Sequence, residues 1–206
     1  MVKSMVFLLT GPKYSGKSTV GRILAETWGC PFVDLDILIE EQCGRSPREL
    51  YREGAEVFRK AEAAALSSLL AARPKGGRAV LHCPQPEESQ KPGVSAETVV
   101  AAGGGLIDNE EALQLLEGVL KKGRPELEII CLEVSAETAW ERIRRAAEES
   151  GELPVFLQTA DPKETHRNLH NRRMGGYKKL ARRVLEGVNK DPQAIAGEIT
   201  AWYGKA

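Results

Sequence analysis

Gly11-Pro12-Lys13-Tyr14-Ser15-Gly16-Lys17-Ser18-Thr19 decides how the rest of this 206-residue chain is read. The stretch follows an apolar run, Met5 to Leu9, and leads into a helix-like segment from Gly16 to Trp28. Strand, glycine-bounded loop and helix in that order, with the full G-x-x-x-x-G-K-[ST] spacing, mark a phosphate-binding loop. Gly11 and Gly16 permit backbone angles and a close approach that a side chain would block, so successive N–H groups can wrap an anion. The helix behind the loop adds its own free N–H donors and the positive end of its dipole. Lys17 is then placed to reach the β- and γ-phosphates of a nucleotide, and the Ser18 hydroxyl to ligate Mg²⁺.

Working outward, the composition bounds the answer. The length suits one domain with a real core. Lys plus Arg and Asp plus Glu both number 29, so no basic field points to nucleic acid. The apolar start covers only about five residues, too short for a signal-peptide core or a membrane span, and no longer run follows. A soluble cytoplasmic protein without a membrane partner is expected. Cys30, Cys43, Cys83 and Cys131 show no C-x-x-C spacing and read as buried or incidental thiols. His166 and His170 share the i, i+4 spacing of a metal pair, but without a carboxylate or cysteine partner pattern they read as a solvated helix face.

After the first helix, Pro31-Phe32-Val33-Asp34 reads as a short buried strand ending in Asp34-Leu35-Asp36. Two carboxylates there lie on the rim where open parallel sheets bind ligands, one facing the metal and phosphates, the other a second substrate. A plain helix N-cap fits the same residues equally well. A helix over 37–42 ends at Gly44, and Ser46-Pro47-Arg48-Glu49 starts another with capping-box spacing. Phe58, Ala61, Ala65, Leu66 and Leu69 give an amphipathic helix over 55–72, on which Arg59 reads as a solvated charge. Residues 73–97 hold four prolines and three glycines, as expected of a long loop, around a short apolar island, Ala79 to Leu81. A β-branched strand, 98–102, then runs into Gly103-Gly104-Gly105, where either a close ligand or a flexible turn would require glycine. Helix 109–120, strand 128–134, helix 136–150, a helix over 162–180 loosened at Gly175-Gly176, strand 184–186 and helix 191–203 complete the order. Alternating strands and helices with right-handed crossovers build an α/β protein, a parallel sheet covered on both faces.

These residues together resemble the shikimate kinase family: the loop with Lys17 and Ser18, Asp34-Leu35-Asp36, Phe58-Arg59, Gly103 to Gly105, and Arg173 four residues before Tyr177. The resemblance covers most of the chain. It implies a single P-loop kinase domain of three α/β/α layers, with a five-stranded parallel sheet in the order 2-3-1-4-5. It further implies a substrate-binding region around 34–62 and a lid near 144–165. By that resemblance the loop from Gly11 to Thr19 binds ATP, with Arg144 and Arg145 packing over the adenine. Ser18 and Asp34 hold Mg²⁺, and Lys17 and Asp36 are catalytic. Asp36, Arg59, Gly103 to Gly105 and Arg173 bind shikimate, since a guanidinium matches a carboxylate fork and an aspartate a vicinal diol. The implied reaction moves the γ-phosphoryl of ATP to the 3-hydroxyl of shikimate, in a monomer. Two stretches depart from the family. Its lid carries Arg-Pro-Leu-Leu, whereas here Leu153-Pro154-Val155-Phe156-Leu157 lacks the arginine. The excursion over 74–96 is an insertion, expected at the amino end of its strand and away from the ligand rim. A gluconate- or nucleotide-kinase-like activity, and a ligand-binding homologue that has lost turnover with the lid arginine, are the alternatives.

Overall fold

A computed structural model of the chain describes residues 5–71, 97–123, 126–187 and 190–205. Strands β1 (Met5–Thr10), β2 (Phe32–Asp34), β3 (Glu97–Ala101), β4 (Glu126–Glu133) and β5 (Arg183–Glu186) form one sheet. Its order is β2-β3-β1-β4-β5 with every pairing parallel, as the family resemblance implies. The helices are α1 (Lys17–Trp28), α2 (Leu35–Cys43), α3 (Pro47–Glu53), α4 (Ala55–Ala71), α5 (Glu110–Lys122), α6 (Ala136–Ser150), α7 (Pro162–Leu180) and α8 (Pro192–Trp202).

The period of two along β1 splits the core into two layers. Val6 and Leu8 join Val100 and Ile129 under α2, α4 and α5, with Ile39, Leu66 and Leu116 packed on them. Phe7 and Leu9 face the other way, with Val99, Ile130 and Leu132, onto Val20 and Leu24 of α1 and Ile195 and Ile199 of α8. The middle strands are buried on both faces, which is why they read as continuous apolar runs rather than alternating ones. Helix α1 lies close to the sheet because Gly21 leaves room for Phe32, whose ring would stand 2.5 Å from a Cβ there.

Three carboxyl ends of strands meet at one rim. From β1 the chain enters the glycine-bounded loop, from β2 it passes through Asp34 into α2, and from β3 it enters Gly103 to Gly105. That is where side chains from distant parts of the sequence can converge on one ligand.

Two helix readings are corrected. Helix α7 runs unbroken through Gly175 and Gly176, because Gly176 lets Ile107 pack against it: a Cβ would come within 2.5 Å of Ile107 Cγ1. His166 and His170 are not on a solvated face; they are buried, with His166 tilted against Trp140 of α6. Burial pushes His166 down to about 4 and lowers His170 as well, so both rings are neutral packing groups near pH 7. Of the cysteines, Cys131 is buried, Cys30 half-buried and Cys43 exposed. Cys83 and the 74–96 excursion lie outside the described residues. Among the described residues no helix is long and apolar enough to cross a membrane.

Candidate active site

The loop after β1 is held by backbone geometry. Gly11 and Gly16 have φ of 136° and 95°, and Tyr14 adopts φ 61° without being glycine. A Cβ on Gly11 would meet the Leu132 carbonyl oxygen at 2.4 Å, so that position excludes any side chain. Lys17 is buried beneath the loop, and its ammonium donates to the carbonyls of Pro12 at 2.8 Å and Gly11 at 3.1 Å. Burial lowers its pKa to about 8, opposed by the nearby carboxylates of Asp36 and Asp34. The ammonium is thus poorly solvated and, among the described residues, bound to neutral carbonyl and hydroxyl oxygens, a site primed for an anion.

Asp34 is the N-cap of α2 and also reaches the phosphate loop. One oxygen accepts the Asp36 N–H at 3.1 Å and caps α2, while the other accepts the Ser18 hydroxyl at 2.6 Å. The two residues present hard oxygen donors side by side at the foot of the loop. Among the described residues no group of three His, Cys, Asp or Glu could hold a metal by itself. Such a sparse oxygen set fits a cation that completes its shell with water and phosphate oxygens.

Asp36 lines a cavity of about 650 Å³ together with Lys13 and Tyr14 of the loop, Gly103 to Gly105, and Arg173 of α7. The opposite wall comes from α3, the end of α6 and the 152–156 segment. Burial raises the Asp36 pKa, with Asp34 adding repulsion and Lys13 and Lys17 opposing it. Arg173 is clamped: Nε and one terminal nitrogen donate to Asp108 at 2.9 and 2.7 Å, and the other donates to the Gly104 carbonyl at 3.0 Å. Tyr177, one turn later, donates to the same carbonyl.

The glycine triplet is a site of close approach rather than a flexible turn. A Cβ on Gly104 would lie 2.9 Å from the Lys13 backbone nitrogen, and one on Gly103 would lie 3.0 Å from both Asp36 Oδ1 and Glu62 Oε1. Glu62 is fully buried on α4, with Oε2 accepting from Asn109 at 2.9 Å and Oε1 without a hydrogen-bond partner among the described residues. Burial raises it to about 7, and Asp36 repels its charge further. The sequence reading did not single it out, although Glu62 stands four residues after Phe58 and four before Leu66, on the face otherwise buried. Arg48 was also passed over: it lines the cavity and crosses to the opposite segment, pairing with Glu152 at 2.7 Å and donating to the Leu153 carbonyl at 3.1 Å.

Three of the expected arginines stand apart from the cavity lining. Arg59 pairs with Glu56 on its own helix, and its carbonyl accepts from Asn109. Arg144 is taken up by Glu141 and Glu148, while Arg142 of the same helix reaches the Tyr14 carbonyl at 2.9 Å. Arg145 does not line the cavity either.

Comparison with known proteins identifies the relatives of this arrangement. The family profile described as shikimate kinase matches residues 14–83 and 89–203. A shikimate kinase of Corynebacterium glutamicum is 30% identical over 195 residues, covering 94% of each chain. One from Marinomonas sp. is 28% identical over 200 residues, 97% of this chain and 92% of the relative. Among solved structures, shikimate kinase from Aquifex aeolicus superposes with a TM-score of 0.67 at 26% identity, covering 97% of this chain and 96% of that one. Shikimate kinase from Acinetobacter baumannii in complex with shikimate shares the fold, with a TM-score of 0.72 at 24% identity over 98% and 93% of the two chains. By sequence along nearly its whole length, and by the fold that carries its phosphate loop, the chain belongs to the shikimate kinase family.

Proposed function

We infer that this chain transfers the γ-phosphoryl group of ATP to the 3-hydroxyl of shikimate. The observation that carries the reading is the placing of Asp36, Arg173 and the glycine triplet across one cavity from the phosphate loop. A hydroxylated acid entering there would meet a buried carboxylate suited to its hydroxyls and a guanidinium suited to its carboxylate. Asp36 takes the proton of the attacking hydroxyl, and its raised pKa suits a base that must accept a proton at neutral pH. Arg173 turns part of its donor fork to the substrate carboxylate while Asp108 keeps it in place. Arg59 joins it on exchanging Glu56 for the ligand, and Arg144 and Arg145 border the nucleotide base. The Gly103 to Gly105 backbone closes over the ring.

Ser18 and Asp34 would hold Mg²⁺, which when bound neutralises charge on the β- and γ-phosphate oxygens. Lys17 turns from its carbonyl partners to the phosphates. The residues around 34–62 form the acceptor side and those around 144–165 the lid. Balanced charge favours the small molecules ATP and shikimate over nucleic acid as partners, and the reading takes the enzyme as monomeric, cytoplasmic and without a membrane partner.

The test is ADP release by purified protein with ATP, Mg²⁺ and shikimate, against Lys17→Met and a sample without shikimate. Shikimate-dependent turnover, abolished in Lys17→Met, is the expected result. Gluconate or a nucleoside monophosphate outperforming shikimate would overturn the substrate. Binding of both ligands without turnover would make the chain a non-catalytic homologue.

A further inference from the structure

In phosphoryl transfer the negative charge spreads over the three equatorial oxygens of the moving group, and the protein's main contribution is to meet that charge from several sides. Lys17 meets it from beneath the loop. The 153–157 segment on the opposite side is Leu-Pro-Val-Phe-Leu and brings no charge. Among the described residues the cations on the cavity wall are Lys13, Arg48 and Arg173.

These three differ in what already holds them. Arg173 spends its donors on Asp108 and Gly104, deep on the acceptor side. Arg48 is bound to Glu152 and to the Leu153 carbonyl at the far wall. Lys13 has no hydrogen bond or ion pair among the described residues; its ammonium lies 5.4 Å from the centre of the Tyr14 ring. Its backbone is pinned, however, because Gly104 approaches the Lys13 nitrogen too closely for any side chain to intervene. A fixed backbone with an unpaired ammonium at its tip is a mobile point charge on a rigid mount. Its charge is felt on both sides of the gap, holding Asp36 down and pushing Lys17 down. Lys13 belongs to the phosphate loop and lines the same cavity as Asp36.

We propose that the Lys13 side chain is a catalytic residue, a second loop cation that donates to an equatorial oxygen of the γ-phosphoryl group as it crosses to the acceptor. The inference rests on the kinase reading above and assigns a role to a side chain that the loop motif leaves unspecified. In the step, the acceptor oxygen forms its bond to phosphorus as the bond to the β,γ-bridging oxygen breaks. The leaving electron pair stays on ADP, the hydroxyl proton passes to Asp36, and Lys13 keeps its own protons.

The experiment compares wild type, Lys13→Met, Lys13→Arg and Arg48→Ala by steady-state kinetics. Calorimetry then measures Mg·ADP affinity with and without aluminium fluoride, which mimics the moving phosphoryl group. Lys13→Met should lower kcat by about 10²–10³-fold, with both KM values within about threefold, as for loss of one transition-state donor. It should keep its ADP affinity and its melting temperature but lose the added affinity that fluoroaluminate gives. Lys13→Arg should recover at least about tenfold in kcat, since the charge is restored. A kcat within about threefold of wild type in Lys13→Met, or a rise confined to KM, overturns the proposal. So does a kcat loss found in Arg48→Ala and not in Lys13→Met. If wild type phosphorylates no shikimate, the substrate reading fails by itself, and the fluoroaluminate measurement still decides the role of Lys13.

Discussion

Replacing Gly104 by alanine tests the geometry of the rim with one methyl group. The added Cβ would stand 2.9 Å from the Lys13 nitrogen, 3.3 Å from its Cα and 3.4 Å from its Cβ. All three belong to the phosphate loop, and two are backbone atoms, so no flexible side chain can swing away. The φ of Gly104 is not in the left-handed region, and the penalty is therefore steric rather than conformational. Restoring ordinary contact requires the loop to retreat by about half an ångström. Overpacking of this kind costs about 1–3 kcal/mol, or roughly 2–4 °C of melting temperature for each kcal/mol in a chain of this size. A misplacement of about 1 Å costs ~10²-fold in rate, so half of that predicts a kcat lower by about tenfold. Gly105 supplies the control, because a Cβ there has only Arg173 at 3.9 Å, and Gly105→Ala should melt as wild type does. Steady-state kinetics and thermal melts of both variants are sufficient. If Gly104→Ala keeps kcat and melting temperature while Gly105→Ala loses them, the close packing of triplet on loop is not what positions the phosphates.

The buried carboxyl of Glu62 makes stability depend on pH in a known direction. Its pKa rises from 4.5 unfolded to about 7 folded, so the folded state binds more protons between those values and stability falls as pH climbs through that window. Glu62→Gln keeps an acceptor for Asn109 and removes the charge; at pH 8 it should stabilise by up to about 3 kcal/mol, and at pH 4 by almost nothing. Equal melting shifts at the two pH values would contradict the burial argument. Arg173→Ala should raise KM for shikimate by about 10–100-fold with kcat largely kept, since a charged hydrogen bond is worth about 1.5–3 kcal/mol; an unchanged KM removes Arg173 from the substrate site. Asp36→Asn should cut kcat by about 10²–10⁴-fold with shikimate still bound in calorimetry, and a preserved kcat would take the base role from it.

Sequence alone carried the architecture because its signals are local. The loop spacing, the capping box at Ser46 and Glu49, and the apolar strands all act within a few residues, and each element lies where its pattern put it. The sheet order came from the family resemblance, since pairing is a long-range property. Side-chain partners were harder for the same reason. Whether Arg59 bonds Glu56 or faces the cavity depends on a rotamer, not on spacing. Asp108 holding Arg173 joins residues on α7 and on the turn after the triplet, and no periodicity reports it. The histidine pair reads as polar by type, yet it is buried because Trp140 of a neighbouring helix covers it. Glu62 was legible in principle, being a charge at an apolar position of an amphipathic helix, which is the kind of local inconsistency that functional sites produce.

The two walls of the cavity are built differently, and this decides where a needed charge can reside. On the phosphate side, Gly11 against the Leu132 carbonyl and Gly104 against the Lys13 nitrogen leave the backbone no alternative. On the far side, α3 meets the 152–156 segment through Arg48 and Arg52 on Glu152 and through the rings of Tyr51 and Phe156. Half-exposed ion pairs of that kind are worth about 0–1 kcal/mol each, so this wall can reorganise around a ligand at little cost. A wall that moves is a poor place for a group that must be within fractions of an ångström of its target, unless a ligand draws it in. Because 153–157 is neutral, a closure of that wall on a ligand would expel water and strengthen the charges already inside without adding one. On the proposed reading the charge comes instead from the side whose backbone is fixed, where Lys17 lies below the loop and Lys13, without an ion pair among the described residues, stands on its rim.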